Sequence, residues 1–161
     1  MKPVTTTPSS LDIDLLPGHA IRRLHQISVG IFMQEVGDLG VTPVQYAALQ
    51  RVGNQPGIDQ RRLASGIALD TSTTAGVVDR LEARGWMERR TAPEDRRARQ
   101  LFLTPEGQAA LTATVPAMLR TQEHILAPLT PHQRTEFMRL LGMLVEENNT
   151  LSRAPSHGRK R

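Results

Sequence analysis

Apolar residues recur along most of the chain at the spacing of amphipathic helices. From Pro17 to about Gly37 they follow one another at intervals of three, four or seven positions. Similar patterns predict five further helices, bounded by Thr42 and Gly53, Asp59 and Ile67, Asp70 or Thr71 and Arg84, Thr104 and about Leu126, and Pro131 and about Asn148. The chain is therefore expected to be mainly α.

The pattern changes between the fourth and fifth helices. Gly85 stands where a left-handed residue that ends a helix belongs. Residues 86–91 and 99–103 then indicate two strands around the charged turn APEDRRA. Two short helices followed by a hairpin make a winged helix-turn-helix. We therefore expect a winged helix-turn-helix fold of about six helices with a small β-hairpin wing.

The start of the fourth helix is small and polar over residues 71–76. A helix enters the major groove of DNA where small side chains let its backbone approach the base edges, and a helix N-terminus also favours phosphate. The residues expected to approach DNA are Thr71, Ser72, Thr73, Thr74, Ala75 and Gly76. Arg80, two turns into the helix, can reach a phosphate or a guanine edge. Ordinary helix capping is the alternative explanation of the Ser/Thr run.

These blocks resemble the MarR family of bacterial transcription regulators over nearly the whole chain. The resemblance rests on GVTPVQYAAL, on LASGIALDTSTTAGVVDRLEARGWMERR, on DRRARQLFLTPEG and on the long flanking helices. The wing is the most specific part, because the family pattern of Asp-x-Arg, a strand and Leu-Thr-x-x-Gly is matched by Asp95, Arg97, Leu101, Leu103, Thr104 and Gly107. The resemblance implies that Arg97 enters the minor groove, that Asp95 holds the wing, and that Arg96 or Arg99 contacts adjacent phosphates. A solvated charged turn is the alternative.

The resemblance also implies a homodimer built from the first, fifth and sixth helices and bound to a palindromic operator. Terminal helices with apolar faces need a surface that buries them, and a second copy supplies one. An intramolecular helical bundle is the alternative. The segments expected are an N-terminal disordered tail (1–12), a helical dimerisation region (13–41 and 105–150), a DNA-binding lobe (42–104) and a basic flexible tail (151–161).

Composition favours the same class of protein. The formal charge of +4 favours a polyanionic partner, and all but Lys2 and Lys160 of the twenty basic residues are Arg. Codon bias in a GC-rich genome explains the excess of Arg equally well. The absence of cysteine excludes disulfides and thiolate metal sites. Without a secretory signal or an apolar run near the roughly 18 residues of a membrane span, we expect a cytoplasmic protein.

The sequence holds no catalytic motif, cofactor fingerprint or pair of histidines at metal-ligand spacing, so we expect no enzyme, no cofactor and no metal. The resemblance does imply an effector, because many relatives release DNA when a phenolic or aromatic acid binds between the dimer helices and the DNA-binding lobe. The residues expected to bind an aromatic carboxylate are His19, Arg22, Arg23, His25, Ser28, Phe32 and Tyr46. Packing within the core is the alternative role of His25 and Tyr46.

The sequence thus predicts a homodimeric, ligand-responsive transcriptional repressor that binds double-stranded DNA. Two other classes of protein stay open at this point. A sequence-tolerant architectural DNA-binding protein without a ligand would bind an operator and random DNA alike. A protein-interaction module with a winged fold would show no salt-dependent DNA affinity.

Overall fold

The computed structural model describes residues 12–91 and 99–156. In these ranges the α-helices and strands are α1 (Pro17–Val36), α2 (Pro43–Asn54), β1 (Ile58–Asp59), α3 (Gln60–Gly66), α4 (Thr71–Ala83), β2 (Met87–Thr91), β3 (Arg99–Leu103), α5 (Pro105–Leu126) and α6 (Pro131–Glu147). Single 3-10 turns occupy Ile13–Leu15, Gly37–Leu39 and Asn149–Leu151. The predicted mainly α winged fold is confirmed, with helix ends within about three residues of those expected.

Side-chain caps explain where the helices begin. Thr42 and Thr130 each form a reciprocal capping box with a glutamine three residues later. Asp59, Asp70 and Thr104 accept hydrogen bonds from backbone amides in the first turns of α3, α4 and α5. Each cap satisfies an amide that the helix leaves without a partner, so polar side chains fix these starting points.

The wing belongs to a sheet of three strands, whereas the sequence predicts a hairpin of two. The strand order is β1-β3-β2, with both pairings antiparallel. Ile58 lies opposite Leu101, and Asp59 lies opposite Gln100. β1 has only two residues, which is too short for an alternating pattern to reveal. The additional strand ties the beginning of α3 to the wing.

The buried apolar residues form two clusters, one among α2, α3, α4 and the sheet and the other between α1 and α5. The larger joins α2, α3, α4, the sheet and the first turns of α5, and its buried members are Ala48, Leu49, Val52, Ile58, Leu63, Val77, Val78, Leu81, Met87, Leu101 and Leu111. The smaller joins α1 to α5 through Phe32, Val36, Val41 and Ala117. Tyr46 and Trp86 touch both clusters, so the winged lobe (residues 42–104) packs continuously onto α1 and α5, which we call the helical base.

Ionic contacts also join α1 to α5, which lie side by side. The Glu35 carboxylate accepts a hydrogen bond of 2.6 Å from Arg120 Nε, and its other oxygen lies 3.1 Å from His124 Nδ1. The Glu35 side chain is largely buried. Because a charge in that position needs partners, this group fixes the alignment of the two helices.

Helix α6 differs from the other long helices because none of its residues is buried. Its exposed apolar side chains are Met138, Leu140, Leu141, Met143, Leu144 and Val145. The beginning of the chain is similar, since Ile13, Leu15, Ile21 and Ile27 are more than half exposed. Even so, none of the helices in the described ranges is long and apolar enough to cross a bilayer.

The residues after α6 turn back on the chain. Asn149 Nδ2 donates to the Ser156 carbonyl at 2.8 Å, and the Ser156 amide donates to Asn149 Oδ1 at 2.9 Å. This turn takes up the first part of the segment that the sequence assigns to a flexible tail, and residues 157–161 of that tail lie outside the described residues.

Candidate nucleic-acid interface and apolar groove

The first turn of α4 presents hydroxyl groups to solvent. Thr71, Ser72 and Thr73 are exposed, as the sequence predicts for residues that approach DNA. Asp70 accepts hydrogen bonds from the Thr73 amide at 2.8 Å and from the Thr73 hydroxyl at 2.6 Å. These bonds, that of the hydroxyl foremost, lower the pKa of Asp70 below its ordinary value. The helix start is therefore held rigidly by its own cap.

Thr74 does not belong to this exposed group, and its predicted contact with DNA is wrong. Its side chain has no exposed surface, and its hydroxyl donates to the Asp70 carbonyl at 2.8 Å. Thr74 lies one helical turn before Val77 and Val78, so it shares their face and packs into the winged lobe.

The exposed face of α4 continues for two turns. Ala75 and Gly76 are half-buried, and Arg80 is exposed. A Cβ atom at Gly76 would lie 3.6 Å from Arg80 Nη1, so the guanidinium group folds back over the glycine. The glycine at position 76 thus leaves room for the Arg80 side chain on the same exposed face of α4 as the first turn.

Arg89 of β2, which the sequence does not single out, binds the acidic side chains in the second half of α4. Its guanidinium group binds Glu82, donates to Asp79 Oδ1 at 2.7 Å, and donates to Gln60 Oε1 at 3.3 Å. Its backbone amide also donates to Glu82 at 3.0 Å. One β2 residue therefore pairs the acidic side chains of α4, which reduces the repulsion that they would exert on a polyanion.

The tip of the wing, with Asp95, Arg96 and Arg97, lies outside the described residues. Its base is described. Arg99, an exposed residue at the start of β3, donates from Nη1 to the Thr91 hydroxyl at 2.6 Å across the hairpin. Arg99 thus joins the end of β2 to the beginning of β3.

Arg84, which the sequence does not single out either, links the end of α4 to the loop between α1 and α2. Arg84 donates from Nη1 to the Gly40 carbonyl at 2.8 Å and from Nη2 to the Leu39 carbonyl at 2.9 Å. Its guanidinium carbon lies 3.5 Å from the centroid of the Trp86 ring. Gly40 has a φ of +59°, the left-handed conformation that glycine adopts most easily. Arg84 therefore ties the end of α4 to the loop that follows α1.

The predicted effector residues do not form one site. Phe32, expected to stack on a ligand ring, is only 1% exposed and packs against Tyr46 with ring centroids 6.2 Å apart. The prediction for Phe32 is wrong because the ring fills the core between α1 and α5. Tyr46 is half-buried and donates to Gln50 Oε1 at 3.0 Å. Burial raises the pKa of the Tyr46 phenol.

The remaining predicted effector residues divide between the start and the middle of α1. His19 Nε2 lies 3.5 Å from Asp14 Oδ1, and Arg23 reaches the same carboxylate only at 3.9 Å. Arg22 bonds to His19 and to Gln26 but pairs with no carboxylate among the described residues. His25 and Ser28, one helical turn further, face a groove.

This apolar groove, of about 580 Å³, runs between α1, the end of α5 and α6. Besides His25 and Ser28, its lining is almost entirely apolar and consists of Ile21, Leu24, Gln122, Ile125, Leu126, Phe137, Met138, Leu140, Leu141 and Leu144. Several of these side chains are among the most exposed apolar groups described. The apolar faces expected of the terminal helices are therefore present, and they are exposed to solvent in the single chain.

Comparison with known proteins places the chain among bacterial regulators. The MarR family model matches residues 41–98. The chain is 30% identical over 150 residues to the HTH-type transcriptional repressor NicR of Pseudomonas putida. The alignment covers 89% of this chain and 95% of NicR.

Solved structures agree in fold over most of the chain. PcaV of Streptomyces coelicolor, in complex with its natural ligand, matches with a TM-score of 0.79 and 33% identity over 85% of this chain and 96% of that one. BpsR of Bordetella bronchiseptica, whose DNA binding is regulated by 6-hydroxynicotinic acid, matches with a TM-score of 0.78 and 29% identity over 83% and 96%. The repressor CouR, bound to a 23-mer DNA duplex, matches with a TM-score of 0.77 and 25% identity over 83% and 94%.

Proposed function

The chain belongs to the MarR family of transcriptional regulators, and from that premise we propose a homodimeric repressor that a small aromatic acid releases from a palindromic operator. One observation carries the DNA-binding part: the first turn of α4 is exposed and capped, and α4 is joined to the wing strand β2 by the contacts of Arg89 with Asp79 and Glu82. CouR, which shares this fold, binds a DNA duplex, and this supports a DNA-binding role for the chain.

In this proposal Thr71, Ser72 and Thr73 approach the base edges, with Ala75 and Gly76 keeping the backbone close to them. Arg80 adds a contact to phosphate or guanine from the second turn. At the wing, Arg97 enters the minor groove while Asp95 holds the turn, and Arg96 and Arg99 contact phosphates. The helix supplies most of the sequence discrimination, and the phosphate contacts supply affinity and register.

Arg97→Ala tests the wing. We expect the mutant dimer to bind the operator at least about 30-fold more weakly, because each of its two wings loses an arginine contact to a base, and one such contact is worth about 1–3 kcal/mol. The measurement is fluorescence anisotropy on a duplex that the wild-type protein enriches from a random pool. Arg139→Ala, which removes an exposed charge from α6, should bind as the wild type does. Equal affinity of Arg97→Ala and wild type would contradict the wing assignment, and equal wild-type affinity for enriched and random duplexes would favour an architectural protein.

The dimer is proposed from the apolar groove and from α6. A helix of 17 residues with no buried side chain leaves its apolar face in water unless another molecule covers it. A second copy offers the same helices, so a two-fold axis buries both faces at once. Two copies of α4 and of the wing then read two half-sites about one helical turn apart.

The effector is proposed to bind beside the first half of α1, most of which is exposed in the single chain. Arg22 is the best candidate for the carboxylate, since it pairs with no acidic side chain among the described residues. His19, Arg23, His25 and Ser28 flank it on the same helix. The 6-hydroxynicotinic acid that regulates BpsR supports an aromatic acid as the ligand class.

Thermal unfolding with aromatic acids tests the effector. At 100 times its Kd a ligand stabilises the folded protein by about 2.7 kcal/mol, which raises the Tm of a chain of this size by about 5–10 °C. We expect such a shift with 6-hydroxynicotinate or a hydroxybenzoate, a far smaller one with the uncharged carboxamide analogue, and a reduced one in Arg22→Gln. A panel of aromatic acids that leaves Tm unchanged would argue against the effector.

A further inference from the structure

A second basic surface of the winged lobe is not used by the contacts proposed above. It is a pocket of about 450 Å³ between the end of α2 and α3. Its lining includes Arg51, Arg61, Arg62, Gln55, Asp59 and Gly66. Three guanidinium groups thus face one carboxylate, and we call this site the Arg51 pocket.

Arg51 has no counter-charge among the residues that the structure describes. Its side chain is partly buried, its Nε atom is buried without a hydrogen-bond partner, and it forms no ion pair with any described residue. A partly buried guanidinium group that lacks an anion is costly to keep in a fold. Arg61 is exposed and also unpaired within the described chain, and Arg62 reaches Asp59 only at 3.4 Å. The pocket is therefore electrostatically suited to an anion from outside.

Because Gly66 has no side chain, it leaves the space that the Arg51 guanidinium group occupies. A Cβ atom at position 66 would lie 2.6 Å from Arg51 Nε, 3.0 Å from Cζ and 3.1 Å from Nη2. The guanidinium group consequently occupies the space that a side chain at position 66 would need, so any larger residue there would displace it. This packing orients the rigid hydrogen-bonding fork of Arg51 before any ligand arrives.

The pocket also stands next to the proposed DNA interface. Asp59, at the edge of the pocket, is the strand partner of Gln100, and Gln100 follows Arg99 at the wing base. Gln60, the first residue of α3, contacts Arg89, which also binds α4. In helix-turn-helix proteins the first helix of the motif crosses the sugar-phosphate backbone while the second enters the groove. α3 is that first helix.

We propose that the Arg51 pocket binds a phosphodiester group of the operator backbone on the flank of each half-site. The inference rests on the proposed function, which it extends by a third anchoring point beside α4 and the wing. Arg51 and Arg61 donate to the phosphate oxygens, and arginine suits this role because its fork matches two oxygens at once. The contact fixes the register of the lobe on the duplex and carries no base specificity.

The test uses the full-length protein and a duplex enriched by the wild type from a random pool. In a dimer each subunit contributes one such phosphate, so Arg51→Gln should flatten the slope of log affinity against log salt by about 2. Gly66→Ala, which changes no charge, should flatten the slope in the same direction because it unseats Arg51. The ratio of affinities for enriched and random duplexes should stay unchanged. Arg139→Gln serves as the charge-matched control, and melting curves establish that each variant is folded.

The outcomes separate this inference from the proposed function. If the wild type binds no duplex, the proposed function fails and this inference fails with it. If the wild type binds while folded Arg51→Gln and Gly66→Ala keep its affinity and salt slope, only the Arg51 pocket is refuted. Inorganic phosphate, added at constant ionic strength, tests whether the Arg51 pocket binds a free phosphate anion instead of a DNA phosphodiester. If it raises the Tm of the wild type but not of Arg51→Gln, and the DNA slopes are equal, the pocket binds a free anion and not the DNA backbone.

Discussion

Gly107→Ala is expected to destabilise the whole winged lobe. A Cβ atom at this position would lie 1.8 Å from the Trp86 carbonyl oxygen and 2.7 Å from the carbonyl carbon. Both atoms belong to the backbone, so no side-chain rotation relieves the overlap. The Thr104 hydroxyl also donates to the Gly85 carbonyl at 2.6 Å, which holds the two segments together. Overpacking usually costs about 1–3 kcal/mol, and we expect a loss at or above the upper end.

The measurement is chemical unfolding of Gly107→Ala beside a matched glycine substitution. Gly30 lies inside α1 with no atom within 4 Å of an added Cβ. Gly30→Ala should therefore stabilise the protein by roughly 0.5–1 kcal/mol through helix propensity alone. A Gly107→Ala protein as stable as the wild type would show that α5 does not pack on the wing base as described.

Leu144→Glu is expected to convert the proposed dimer into a monomer. Leu144 lines the apolar groove, yet 54% of its surface is exposed in the single chain. A charge there leaves the fold of one subunit intact but becomes unpaired and buried when two copies associate. Because two linked half-site contacts gain roughly 100-fold or more in affinity over one, operator binding should fall by a comparable factor.

Sedimentation velocity at micromolar concentration measures the change directly. Thr135→Glu is the control, since Thr135 is exposed and lies about 180° around α6 from Leu144. This control should sediment as the wild type does. A Leu144→Glu protein that sediments and binds DNA like the wild type would mean that α6 is not part of the interface.

Local chemistry explains why the helices were predictable. Caps and helix-ending glycines act within a few residues, and Thr42, Asp70, Gly85 and Thr130 all occupy such positions in the structure. The wing strands have five residues each, which is long enough to be recognised on either side of the charged turn. β1 escaped prediction because its two residues gain their strand conformation only from pairing with β3.

The errors at Thr74 and Phe32 have one cause. Each residue was assigned by its chemical type, hydroxyl or aromatic ring, whereas its place around the helix decides what it touches. Thr74 precedes Val77, Val78 and Leu81 at spacings of three, four and seven, and this signal was available in the sequence. Phe32 is buried in a cluster that includes Ala117 of α5, a residue distant in sequence that no local pattern reveals.

The arginines were the least predictable part of the site. Arg51, Arg84 and Arg89 owe their roles to partners or neighbours that become close only on folding, such as Gly66, the Gly40 carbonyl and Asp79. A chain with this many arginines gives no means of separating the structural ones from those that face a ligand. Their packing and pairing in three dimensions provide that separation.

The Arg84 clamp has a mechanical consequence for regulation. Because this side chain holds the Leu39 and Gly40 carbonyls and also covers Trp86, the last turn of α4 moves together with the end of α1. In the proposed dimer, a shift of α1 would therefore move the whole winged lobe as a rigid body and leave its DNA-binding surface undistorted. We accordingly expect the proposed effector to change the distance and tilt between the two lobes, while the surface of each lobe stays the same.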